Sequence, residues 1–171
     1  MSSYFPYNTI IGYAPYNIPI YDNSKYMLVN IEHFGSKGTK YENIFYGIKY
    51  QCVEFVRRWY IHVYNLTFES IDNAIDIIKL KHAINIKTNM KMPFIYIQNT
   101  LHNTPIFGDI VVWKAINKYI VTGHVCIVTM VYNTSMIEIA EQNGESKTGK
   151  RIINIHNNDI IGWMRCIGNY Y

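Results

Sequence analysis

The sequence predicts an α+β fold, in which N-terminal helices pack on an antiparallel β-sheet drawn from the later part of the chain. Three observations predict it. Residues 51–65 carry apolar side chains at helical spacing. From Gly108 onward the chain breaks into short apolar runs separated by turns. The helical and strand patterns follow one another and do not alternate, as they would in a parallel βαβ sheet. A length of 171 residues, 49% of them hydrophobic and 16% charged, fits one domain over 1–171 with a core of its own.

Residues 4–22 contain IIGYAPYNIPIYDN, where Pro and Gly punctuate short apolar pieces. This predicts a turn and an extended arm. Residues 23–46 are polar and glycine-bearing, and read as loop and short strand. Gly47 permits a sharp bend before a helix from about Gln51 to about Asn65. Val53, Val56, Tyr60 and Val63 mark its buried face. Ser70 is placed to cap a second helix, with Ile71, Ala74, Ile75, Ile78 and Ala83 at helical spacing. Asp72 and Asp76 near its start and Lys79, Lys81 and His82 near its end suit the helix dipole. Residues 84–105, with breakers Pro93 and Pro105, read as irregular. GDIVVWK predicts a strand, and residues 119–132 read as a central strand covered on both faces. Asn133 to Ser135 form a turn, MIEIAEQN alternates at period two, and residues 144–150 are an exposed turn. RIINIHNNDIIGWMRCIGNYY supplies two more strands.

Charge and cysteine usage exclude several classes. A net charge of +4, with Lys79, Lys81, Lys87 and Lys91 spread through a polar segment, fits a solvated face and not a nucleic-acid groove. Three cysteines without a C-x-x-C pair argue against a disulfide framework and a cysteine zinc site. MSSYFPYNTI lacks the pattern of a secretory signal, and no segment is apolar for long enough to span a bilayer. These features lead us to expect a soluble cytoplasmic protein that uses no metal or cofactor.

Cys52 falls in the first turn of the predicted helix, where N–H groups lack partners and the dipole favours an anion. A helix N-terminus beside an imidazolium lowers a thiol pKa from about 8.5 and makes a nucleophile. Taken alone, Cys52 also fits as a small buried apolar residue. A thiolate needs a base. His124 opens a strand directly after Gly123, whereas His33, His62, His82, His102 and His156 lie in polar or helical-surface contexts. Period two puts Ile137, Ile139, Glu141 and Asn143 on one face of the next strand, so either polar group could orient His124. Gln142 points the other way and reads as structural.

QCVEFVRRW, GDIVVW followed by TGHVCIV, and IAEQN, in that order and spacing, resemble the cysteine- and histidine-dependent amidohydrolase/peptidase (CHAP) family. The flanks IIGYAPYNIPIY and IIGWM are similar to its amidase branch, found in bifunctional glutathionylspermidine synthetase/amidase and trypanothione synthetase. The resemblance runs from about Thr9 to Met164. It implies a papain-like fold with Cys52 as nucleophile, His124 as general base and acid, and Glu141 as orienting acid. It also implies hydrolysis without nucleotide-dependent synthesis, on a glutathione–polyamine amide. Gln51 and the Cys52 N–H are then expected to hold the oxyanion. Arg57, or Arg58 in its place, is expected to meet a substrate carboxylate unless it pairs with Glu54. Asn143 is expected to bond substrate or His124. The alternatives are a cysteine peptidase or peptidoglycan amidohydrolase with the same machinery, and a catalytically idle binding module. Cys126 and Cys166 sit in apolar strand contexts, so Cys52 is expected to be alkylated first.

Overall fold

A computed structural model of the chain describes residues 9–23, 30–116 and 121–168. Two small hairpins come first. Strands β1 (Ile10–Ala14) and β2 (Ile18–Tyr21) pair antiparallel, joined by Pro15–Asn17, where Tyr16 and Asn17 adopt positive φ. Strands β3 (Glu32–Phe34) and β4 (Phe45–Ile48) form the second hairpin. An α-helix follows as α1 (Cys52–Tyr64). Helix and sheet confirm the α+β class, but α1 is not N-terminal, and among the described residues it is the one α-helix that packs on the sheet.

The main sheet has eight strands: β5 (Leu66–Thr67), β6 (His82–Asn85), β7 (Lys91–Gln98), β8 (Ile110–Trp113), β9 (His124–Val131), β10 (Met136–Ala140), β11 (Lys150–Asn154) and β12 (Ile160–Cys166). Their spatial order is β11-β10-β9-β8-β12-β7-β6-β5, and every neighbouring pair is antiparallel. Both faces of its centre are buried. On one face, Phe55, Val56, Trp59 and Tyr60 of α1 share a core with Ile110, Val112, Val125 and Ile127. On the other, Val111, Trp113, Cys126 and Val128 pack with Ile137 and Ile139. Double coverage explains why β8 and β9 read as unbroken apolar runs. Each fully buried aliphatic or aromatic side chain here stabilises the fold by roughly 1.5–3 kcal/mol. No helix among the described residues is long and apolar enough to cross a membrane.

Several expectations are corrected. The inner face of α1 is Phe55–Val56–Trp59–Tyr60, while Val53 and Val63 are only partly buried. The helix is covered nearly all round, so Glu54, Arg57 and Arg58 are buried as well. It stops at Asn65, whose left-handed conformation (φ 55°) lets its N–H cap the Ile61 carbonyl. The second helix shrinks to a 3-10 helix at Ala74–Lys79. Asn73, not Ser70, precedes it, and the Asp76 carboxylate reaches back to the Asn73 N–H. Residues 84–105 are not irregular, since they contain β7. Pro93 is tolerated because β7 changes partner there: Lys91–Pro93 pair with β6 and Phe94–Cys166 begins the pairing with β12. The central strand starts at His124, and residues 119–120 of the predicted run lie outside the described residues.

Candidate active site

The site forms where the tip of α1 meets the start of β9. Gly47 (φ 140°) lets β4 lie against the first turn of the helix. A Cβ there would sit 3.0 Å from both Cα and Cβ of Glu54. Cys52 is the first helical residue, and the backbone N–H groups of Val125 and Val53 act on its thiol to favour the anion. The thiol and the His124 ring are neighbours, and each shifts the pKa of the other. The other side of the ring is held by Glu141, with His124 Nε2 2.9 Å from Oε2, which leaves Nδ1 to face the sulfur. Trp113 packs on the imidazole with ring centroids 5.6 Å apart.

Sheet register explains the meeting of His124 and Glu141. β9 and β10 pair Ile127 with Ala140. Continuing that ladder brings Glu141 opposite Cys126, one same-face step from His124. Period-two reading therefore carries as far as Glu141. It fails at Asn143, whose left-handed backbone (φ 56°) turns it off the strand. Asn143 Nδ2 donates to Gln51 Oε1 at 2.7 Å and does not hold His124. That bond fixes the Gln51 amide beside Cys52.

Cys52 and Gln51 line a cleft of about 430 Å³, together with Ile48, Arg57, Ile71 and Thr122. His124 is 1% exposed and is not one of the residues that line the cleft, whereas Cys52 is. Arg57 borders the cleft, but its guanidinium donates to the carbonyls of Tyr46, Phe68 and Glu69. It also sits against the Phe45 and Phe68 rings. Burial pulls its pKa down to about 10. These contacts tie β4 and the segment after β5 to the helix and do not support a role in meeting a substrate carboxylate. Arg57→Met leaves three carbonyls without their donor and is expected to destabilise the fold by about 3 kcal/mol in urea titration. An unchanged midpoint would remove it from the frame of the cleft.

Arg58 pairs instead with the buried Glu54, which also accepts from His33 Nδ1 at 2.8 Å. Gln142 joins this network, donating to Glu54 Oε2 at 2.7 Å and accepting the Tyr21 N–H at 2.9 Å. Gln142 is structural, as its opposite face predicted, and it stitches β2 and α1 to the exit of β10. Arg151 was not singled out from the sequence. Its Nε donates to Glu141 Oε1 at 2.8 Å and its Nη2 to Oε2 at 3.2 Å. The signal was present in the hairpin: Arg151 pairs with Ile139, so it shares a face with Glu141. Among the described residues, no group of three or more His, Cys, Asp or Glu is arranged to hold a metal ion.

The charges of the site are coupled. Burial pushes the Cys52 thiol up, but the contact with His124 and the Val125 and Val53 N–H groups outweigh it, and the pKa falls below the ordinary value. Burial pulls His124 down, but its bonds to Cys52 and Glu141 raise it to about 9. Burial pushes Glu141 up, yet His124 and then Arg151 bring it to about 2. Both shifts favour a thiolate–imidazolium pair over the neutral thiol and imidazole. Stability depends on pH from both sides. The Glu141 contribution is fully present above about pH 4.5 and is lost as pH falls toward 2. The His124 contribution is fully present below about pH 6.5 and is lost as pH rises through about 9. The stability gap between the natural protein and His124→Ala is thus expected to narrow above pH 9 in urea titrations. A gap that stays constant would contradict the raised imidazole.

Comparison with known proteins agrees with this arrangement. The CHAP domain profile matches residues 41–143, which include Cys52, His124 and Glu141. Over 141 residues the chain is 28% identical to the bifunctional glutathionylspermidine synthetase/amidase of Escherichia coli (strain K12), covering 81% of this chain and 22% of that protein. Over 139 residues it is 33% identical to the trypanothione synthetase of Crithidia fasciculata, covering 81% of this chain and 20% of that protein. The chain thus spans about one-fifth of the length of these curated relatives. A profile match over more than half of the chain, on a helix-and-sheet frame that brings a cysteine to a histidine, settles the family: this chain belongs to the CHAP domain family.

Proposed function

We propose that this protein hydrolyses an amide C–N bond by acyl transfer through Cys52, and that its substrate is a glutathionylspermidine-like amide. One arrangement carries the reading: the Cys52 thiol and the His124 ring are coupled neighbours, the ring is bonded to Glu141, and Cys52 lines the cleft. The thiolate attacks the amide carbonyl, forming a C–S bond while the carbonyl oxygen takes the negative charge. The Cys52 N–H, at a helix start where amides lack intrahelical acceptors, and the Gln51 amide hold that oxygen. The His124 imidazolium gives its proton to the nitrogen as the C–N bond breaks and the amine leaves. His124 then takes a proton from water, the hydroxide adds to the thioester, and the C–S bond breaks to return the thiolate. A volume of about 430 Å³ lies within the usual range for small-molecule sites. The named activities of the relatives supply the choice of substrate.

Gln51→Ala is expected to lower kcat about 100-fold with little change in KM, because the donor acts on charge that develops in the transition state. Asn143→Ala, acting through Gln51, is expected to lose roughly tenfold in kcat. A rise in KM alone for either variant would move Gln51 to ground-state binding.

The reading is tested by turnover of glutathionylspermidine against peptidoglycan fragments and simple peptide amides, with Cys52→Ala as blank. Release of spermidine in preference to the other products, absent from the blank, is the expected result. Turnover of another amide without spermidine release would replace the substrate. No turnover across the panel would overturn the hydrolase reading.

A further inference from the structure

Five donors converge on one buried carboxylate. Glu141 Oε1 accepts the N–H groups of Glu145 and Ser146, both at 3.0 Å, and Arg151 Nε at 2.8 Å. Oε2 accepts His124 Nε2 at 2.9 Å and Arg151 Nη2 at 3.2 Å. Holding an imidazole requires one acceptor, so the other four donors serve the carboxylate itself. Gly144 lets the turn wrap this closely, since a Cβ there would lie 2.2 Å from Glu141 Cδ. Arg151 is itself anchored. Its Nη1 pairs with Glu145 Oε2 at 2.9 Å, and its guanidinium lies 5.8 Å from the centre of the Trp113 ring that packs on His124. Glu141 is completely buried, while the Arg151 side chain is 26% exposed and keeps its charge at the solvent edge.

We propose that Arg151 is a positioning residue for the Cys52–His124 pair, acting through Glu141: its fork fixes the plane of the carboxylate and backs it with a positive charge. The proposal rests on the reading of Cys52 as nucleophile. A two-pronged guanidinium–carboxylate contact sets orientation as well as charge, which a single ammonium does not. Among the described residues, the groups that face the pair are Cys126 from β9, Glu141 from the end of β10, Glu145 from the turn and Arg151 from β11. With Arg151 present, a guanidinium shared with Glu145 stands with the imidazolium against the thiolate and the Glu141 carboxylate. Without it, two anions share one cation and the carboxylate is free to turn from the ring. Both consequences disfavour the thiolate, so the sign of the effect is fixed.

The test is the pH dependence of Cys52 alkylation by iodoacetamide in the full chain, followed on the Cys52 peptide by mass spectrometry and needing no substrate. Arg151→Met is expected to move the inflection up by about one pH unit, which lowers the rate on its acid side about tenfold. Arg151→Lys, which keeps charge without the fork, is expected to fall between the two. Arg151→Met with the parental inflection, even with a lowered Tm, would overturn the proposal and leave Arg151 as a staple of the turn. If Arg151→Met does not fold, a parental inflection in Arg151→Lys overturns it in the same way. An ordinary thiol inflection in the natural protein would sink the nucleophile reading and this proposal with it. A lowered inflection shared by all three proteins would sink this proposal alone.

Discussion

Cys52→Ala is expected to leave a folded protein whose amide hydrolysis falls by at least about 10⁴-fold, to the level of the buffer blank. Removing the nucleophile of a covalent mechanism removes the intermediate, and groups acting as one unit lose most of their effect together. The fold should tolerate the change. Cys52 is 8% exposed at the edge of the core, and alanine keeps its Cβ and suits a helix. A second consequence separates this from simple damage. Cys52 is one of the groups that raises His124, so in Cys52→Ala the imidazole should titrate well below about 9. NMR of the ring protons would read it. Residual hydrolysis above a hundredth of the parental rate would mean that another group attacks the amide.

Glu141→Gln is expected to lower kcat by on the order of 10²- to 10⁴-fold, because the wrong tautomer and orientation of a histidine cost that much in related triads. The amide offers one acceptor where the carboxylate offers two, and its NH₂ would meet the N–H donors that now converge there. From the sequence, Glu141 only orients a ring, and the change should then spare stability. The structure alters that expectation. Arg151 loses its partner, and the Glu145 and Ser146 N–H groups lose part of theirs. A cost of about 2 kcal/mol follows, discounted because Arg151 is a quarter open to solvent. The fall in kcat should still exceed what unfolding explains at temperatures well below Tm. Unchanged kinetics in a folded variant would take the orienting role away from Glu141.

Local pattern made the centre of the site legible. A helix with a cysteine at its tip shows itself through three- and four-residue spacing. A doubly covered strand opening with His124 shows itself through an apolar run after a glycine. Alternation at period two placed Glu141 on the right face, and it lost Asn143 because one left-handed residue ends the alternation. What stayed hidden depends on contacts distant in sequence. Nothing within FVRRWY distinguishes Arg57, bound to three carbonyls, from Arg58, paired with Glu54. The carbonyls that capture Arg57 come from β4 before the helix and from the segment that follows β5. β7 was obscured by Pro93, a residue that argues against a strand unless the strand changes partners there. The place of β12 between β8 and β7 could not be read from RIINIHNNDIIGWMRC, since insertion of a late strand is a matter of topology. Arg151 was within reach, because pairing the two strands of the last hairpin puts it on the face of Glu141.

The central claim is a sulfur held as an anion by the imidazole behind it. It is tested most directly by the ultraviolet absorbance of thiolate, recorded against pH for the natural protein minus Cys52→Ala. The account predicts one thiolate already present at neutral pH, forming well below the ordinary thiol value of about 8.5 and abolished with His124→Ala. A difference spectrum that shows no thiolate until pH reaches that ordinary value would contradict it.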